Sequence, residues 1–232
     1  MVVGNGLLAR GFNEYATDDK VIVFASGVSN SANKEIAAFD REKEILANSL
    51  KNHPGKKFIY FSTCSIYDPS LQNSPYVRHK LAMEKMIAGS HSDYLIFRIS
   101  NLAGKTDNPH TVLNFFIQHV LSGDPFYVWK KAYRNIIDIS DAFSICRHII
   151  NGNLFQNETI NIANPTNYPV IDIVKAMENY FGKKGNYVVI DKESNPRIDI
   201  KPIEKIIKTL DINFAADYLE KTIKKYFPLN DL

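Results

Sequence analysis

The chain has 232 residues, 45% of them hydrophobic, enough for one full core or for one domain with a smaller lobe attached. Its 28 basic and 25 acidic residues leave a formal charge of +3, with lysines no more than paired, which argues against the basic stripe of a nucleic-acid binder. Two cysteines without CxxC or Cys/His spacing argue against a disulfide scaffold and a metal site, and no apolar run approaches the ~20 residues needed to span a bilayer.

In chain order, Met1–Val3 reads as a short strand and Gly4-Asn5-Gly6-Leu7-Leu8-Ala9-Arg10 as a glycine turn opening a helix. This motif begins at once and leaves no room for a signal peptide, which implies a cytoplasmic location. Val21–Ala25 is a continuous apolar run, as expected of a strand buried on both faces. Lys34–Asn52 carries apolar residues at helical spacing and stops at His53-Pro54-Gly55. Phe58–Phe61 predicts a strand, Tyr76–Ala88 a helix with Pro75 in its first turn, and Tyr94–Ile99 a strand. Further on, Thr111–Leu121 predicts a helix, and Phe126–Trp129 and Ile136–Ile139 predict short extended pieces. Asp141–Ile150 predicts a helix capped by Ser140 or Asp141, and Thr159–Ala163 a strand. Val170–Phe181 predicts a helix ending at Gly182, Tyr187–Ile190 a strand, and Asp217–Tyr226 a last helix. Scattered histidines, His79 and His91 among them, read as surface or packing residues.

Strands alternating with helices predict an α/β fold, a Rossmann-type parallel sheet with helices on both faces. The expected division is a shortened cofactor domain over 1–163, with 106–132 contributing to a small C-terminal substrate lobe, and that lobe itself over 164–232.

Two constellations carry chemistry. In Gly4-x-Gly6-x-x-Ala9, glycines at a strand-to-helix turn let backbone approach a pyrophosphate, and the helix start offers free N–H groups. Arg10, in the first turn, is placed to contact phosphate and would favour NADP. In the second, Tyr76 and Lys80 lie four apart on one helix face. A phenol is a poor acid at neutral pH, and an ammonium one turn away favours its phenolate. Thr63, ending a strand, can hydrogen-bond a substrate oxygen at the strand ends where open α/β sheets bind ligands.

This set resembles the extended short-chain dehydrogenase/reductase family of nucleotide-sugar epimerases, dehydratases and reductases. Thr63 with Tyr67 four residues on, and Tyr76-x-x-x-Lys80, match its catalytic motifs. Arg98-x-x-Asn101-x-x-Gly104 resembles the segment whose Asn contacts the substrate. Arg134-(x)6-Asp141 resembles one whose Arg grips the diphosphate and whose Asp starts a helix. Pro196-Arg197-x-Asp199 resembles a later segment with a second diphosphate contact. The resemblance implies NAD or NADP as cofactor, a nucleotide-sugar substrate, and a homodimer packed through the helices Lys34–Asn52 and Tyr76–Ala88.

The chain departs from the pattern in three places. A strand–helix–strand that normally precedes Val21 is missing, and with it the acidic residue for the adenosine ribose; Asp18 and Asp19 precede a different strand. Cys64 and Ser65 stand where the 4,6-dehydratases carry an Asp-Glu pair, which argues against dehydration. Ser29 and Asn30, after the second strand, either reach the nicotinamide or sugar or belong to a helix-capping loop. The expected activity is reduction of a 4-keto sugar; the alternatives are epimerisation and a non-catalytic nucleotide-binding relative.

Overall fold

A computed structural model describes residues 1–90 and 93–229 of the chain, so that His91 lies outside the described residues. In order, the first half contains β1 (Val2–Val3), α1 (Leu7–Gly11), β2 (Val21–Phe24), α2 (Ile36–Asn52), β3 (Lys57–Thr63), α3 (Pro75–Ser90) and β4 (Tyr94–Ile99). There follow β5 (Asn101–Ala103), α4 (Val112–Ser122), β6 (Phe126–Asp138), α5 (Ile139–Asn151) and β7 (Glu158–Ile162). The chain closes with β8 (Asn167–Pro169), α6 (Val170–Phe181), β9 (Tyr187–Ser194), α7 (Glu204–Thr209) and α8 (Tyr218–Tyr226).

Five parallel strands form the main sheet in the order β1-β2-β3-β4-β7. The apolar runs are buried on both sides because their alternate residues feed two different cores. Val23, Ile59, Phe61, Leu95 and Phe97 pack with Phe12 and with Phe143 and Ile149 of α5. Ile22, Phe24, Phe58, Tyr60 and Ile96 face the other way, onto Leu46 and Leu50 of α2 and Met83 and Ile87 of α3. Each such side chain contributes about 1.5–3 kcal/mol by leaving water. The Rossmann-type arrangement expected from the alternation of elements is therefore present. Among the described residues β1 pairs with β2 alone and forms the sheet's edge. No described helix is long and apolar enough to cross a membrane.

A third core gathers Phe116 of α4, Val128 and Ile136 of β6, Ile173 of α6 and Leu219 of α8. Here the structure differs from the expected elements. Phe126–Trp129 and Ile136–Ile139 are not separate pieces but parts of one 13-residue strand, β6. The polar stretch between them is held by pairing: Tyr133–Asn135 with β8, and Lys131 and Ala132 with β9, past a bulge near Trp129. The cap of α5 is Asp138, which accepts from the Ser140 N–H at 2.7 Å. Neither Ser140 nor Asp141 caps it, because the helix begins at Ile139; Asp141 instead accepts from the Tyr218 hydroxyl at 2.7 Å. As expected, α6 ends at Gly182 in a left-handed conformation.

Candidate active site

Parallel strands put their carboxyl ends on one side of the sheet, and the candidate residues follow those ends. After β1, Gly4 has φ +122°, and a Cβ there would stand 2.5 Å from the Ala25 carbonyl oxygen that follows β2. Any side chain is therefore both strained and blocked. Gly6 caps α1, and a Cβ there would meet nothing within 4 Å, so this part of the turn presents bare backbone to open space. Ala9 is buried, and the exposed Arg10 guanidinium reaches back to the Asn5 carbonyl at 3.4 Å. Asp18 and Asp19 precede β2, at the opposite end of the sheet from this turn, and Asp18 is spent on the Lys20 N–H.

On α3, Tyr76 and Lys80 are both buried, and the Lys80 Nζ lies 6.0 Å from the centre of the Tyr76 ring. The ammonium forms an ion pair with Glu42 of α2 at 3.0 Å and donates to the Tyr60 hydroxyl at 3.2 Å. Glu42, 1% exposed, also accepts from the Val28 N–H and the Tyr60 hydroxyl, each at 2.7 Å. His79 Nε2 stands 2.9 Å from the same carboxylate, at an angle that makes no regular hydrogen bond, and its ring stacks on Phe39. Burial alone would push the Glu42 carboxyl up. The His79 contact, the Lys80 charge, the Val28 N–H and the Tyr60 hydroxyl outweigh it and bring it down to about 2.

Sequence reasoning missed Glu42. Its signal was a charged residue on the buried stripe of α2, four and eight positions before Leu46 and Leu50. Its depressed value has a consequence for stability. Above pH ~4.5 the ionised Glu42 adds roughly 3 kcal/mol to the folded state, and this is lost as pH falls from there through about 2. Urea titrations across that range will show a steeper loss for the unaltered chain than for Glu42→Gln; equal slopes would remove Glu42 as the cause.

Thr63 ends β3, buried, and its hydroxyl oxygen accepts from the Ser65 N–H and pairs with Ser65 Oγ, both at 3.0 Å. Cys64 donates to the Arg98 carbonyl, and burial pushes its thiol well above the usual range. Below them Glu84 accepts from Arg98 Nε at 2.9 Å, from Nη2 at 2.6 Å and from Ser62 Oγ at 2.5 Å. Arg98 Nη1 donates to the Tyr67 hydroxyl, which donates onward to Asn161, each at 3.0 Å.

The expected substrate residues lie on β5, on β6 and in the segment after β9. Asn101 begins β5 and donates to the Asn135 carbonyl at 2.7 Å. Arg134, on β6, donates to the Tyr133 carbonyl at 2.8 Å and to Ser194 Oγ at 3.1 Å, and faces the buried Asp68 carboxylate at 3.5 Å. Burial pulls the Arg134 guanidinium down and Asp68 holds it up; the net direction is down. Arg197 lines a cavity of about 440 Å³ with Asn135, Asn164, Asn167 and Asn195. Arg134 is not among the residues lining it. Asp68 was not foreseen, since its partners Arg134 and Ser194 are far away in sequence.

A family model described as "NAD dependent epimerase/dehydratase family" matches residues 8–163, from just after the glycine turn to the end of the main sheet. No curated protein matches the chain. Several solved structures share the fold. One is a dTDP-glucose 4,6-dehydratase from Bacillus anthracis in complex with NAD, with TM-score 0.69 and 18% identity over 98% of this chain and 78% of that one. Another is a UDP-glucuronic acid 4-epimerase from Bacillus cereus in complex with UDP-glucuronic acid and NAD, with TM-score 0.71 and 18% identity over 96% and 78%. A third is a UDP-glucose 4-epimerase from Thermus thermophilus in complex with NAD, with TM-score 0.65 and 16% identity over 86% and 74%. At such identities these likenesses establish the fold. With two thirds of its length matched by the family model, the chain belongs to the NAD-dependent epimerase/dehydratase family.

Proposed function

We propose that the chain is an NAD(P)-dependent oxidoreductase acting on a nucleotide-linked sugar, and that it reduces a 4-keto group. The observation that carries this reading is that Lys80 Nζ lies 6.0 Å from the Tyr76 ring and reaches the Gly27 turn after β2, while Thr63 ends the neighbouring strand β3. The ligands of the solved relatives, NAD and UDP-glucuronic acid, support the classes of cofactor and substrate.

The residues present fit the pyrophosphate and nicotinamide-ribose half of a dinucleotide. The Gly4–Gly6 backbone is open on one side, Arg10 lies beside it, and Lys80 reaches the turn after β2. The adenosine half gains no partner from Asp18 or Asp19, which lie at the other end of the sheet. Bound NADH or NADPH would supply the hydride to the sugar's carbonyl carbon. As negative charge gathers on the carbonyl oxygen, Tyr76 donates its phenolic proton there, leaving a hydroxyl group. Thr63 hydrogen-bonds the same oxygen. Arg197, and Arg134 once exchanged from Asp68, hold the diphosphate through forked hydrogen bonds.

Cys64 does not serve as an acid or base, since burial keeps its thiol protonated, and this supports reduction over dehydration. Epimerisation, the alternative, requires a cofactor retained through a full cycle. The pared-down adenosine side, with Asp18 and Asp19 at the other end of the sheet, suits one that exchanges. The testing experiment is a fluorescence titration with NADH and NADPH, and micromolar binding of either is expected. A folded sample that binds neither would favour a non-catalytic relative. A homodimer through α2 and α3 belongs to the same reading. Their exposed residues mix Ala47 and Ala82 with Arg41, Glu44 and Lys85, so the contact would be small-residue packing with ion pairs. Light scattering at twice the 26.4 kDa chain mass is the expected result, and a monomer would sink it.

A further inference from the structure

Three separate elements are shaped around the Glu42–Lys80 ion pair. On α2, Glu42 occupies the inner stripe while Arg41, Lys43 and Glu44 face solvent. On α3, Lys80 is 3% exposed and sends its ammonium inward. In the loop after β2, Gly27 makes room for both. A Cβ there would stand 2.6 Å from Lys80 Nζ and 2.9 Å from Glu42 Oε1. The Val28 N–H then closes on the carboxylate's other oxygen. Such an ammonium, cut off from water and given no counter-charge, sheds its proton. A neutral amine would give Tyr76 no electrostatic support.

We propose that Glu42 is a positioning residue for the Tyr76–Lys80 pair: it keeps Lys80 charged and anchored against the Gly27 turn. This rests on the reading of Tyr76 as proton donor and Lys80 as its partner. The other titratable groups facing the pair are Tyr60 from β3 and His79, Tyr76 and Glu84 from α3. Tyr60 already donates to Glu42, and Glu84 is taken up by Arg98 and Ser62. Glu42 is thus the carboxylate that holds Lys80.

The test is an NMR titration of lysine-labelled protein together with a pH profile of kcat/KM. In Glu42→Gln the Lys80 ε-carbon should titrate at lower pH than in the unaltered chain. The alkaline limb of kcat/KM should move down with it, and Glu42→Asp should restore most of both. A purely structural Glu42 would lower Tm in Glu42→Gln and leave both pH values in place, which would overturn the proposal. Equal behaviour of the Asp and Gln variants would overturn it too. Should Glu42→Gln not fold, the unaltered chain still decides. Slowly exchanging Lys80 ammonium protons at pH 7 support the pair, and a fast-exchanging or neutral amine overturns it. A complete lack of sugar turnover in the unaltered chain would remove the oxidoreductase reading, and the NMR titration would still judge the Glu42–Lys80 assignment.

Discussion

Tyr76→Phe is expected to lower kcat by about 10²–10⁴-fold, the usual worth of a positioned general acid, while NADH or NADPH binds as before. The substitution removes one hydroxyl and keeps the ring. Tyr76 is 6% exposed, and its ring packs within 6.0 Å of the Lys80 ammonium, a contact that Phe retains. Stability should therefore change little, and the loss should fall on the chemical step alone. Comparable turnover by Tyr76→Phe would mean that another group delivers the proton. Weakened cofactor binding together with intact single-turnover chemistry would point instead to a binding role.

Glu84→Ala should be strongly destabilising, by about 3–5 kcal/mol, because it leaves a partly buried guanidinium without its counter-charge. Arg98 is held by Glu84 through two nitrogens, and Ser62 donates to the same carboxylate. Both lose their acceptor at once. For a chain of this size the cost corresponds to a fall in Tm of roughly 6–20 °C. Asp217→Ala is the control. It breaks the solvent-exposed pair with Lys221 on α8, worth no more than about 0.5 kcal/mol. Equal shifts in calorimetry for the two variants would show that burial of the Arg98 pair does not set its worth.

What could be read in the sequence follows from how local its physics is. Val21–Ala25, Phe58–Phe61 and Tyr94–Ile99 were legible because a strand buried on both faces is a near-continuous apolar run, interrupted in these three by Arg98 alone. Tyr76 and Lys80 were legible because four-residue spacing fixes a shared helix face. Thr63, Asn101, Arg134 and Arg197 could be named, but their partners could not. Arg134 meets Asp68, and Asn101 meets Asn135, through long-range folding that no local spacing encodes. The middle of β6 was hidden for the same reason. Lys130–Asn135 is polar and becomes strand through register with β8 and β9, two elements that follow later in the chain. β5 and β8, at three residues each, exist only as partners of β6.

The continuity of β6 also sets the mechanics of the molecule. Phe126, Val128 and Ala132 are rooted in the third core, and Ile137 of the same strand is rooted in the core of Phe143 and Ile149. One unbroken strand thus runs through both cores, joining them by ladder pairing with β5, β8 and β9 rather than by an irregular linker. Beside it the strap 195–199, which lines the cavity of about 440 Å³, is tied by Asn167 to the Pro196 carbonyl and by Asn161 to the Asp199 carbonyl. That side of the cavity therefore hangs on two asparagine side chains, while the strand beside it is fixed in both cores.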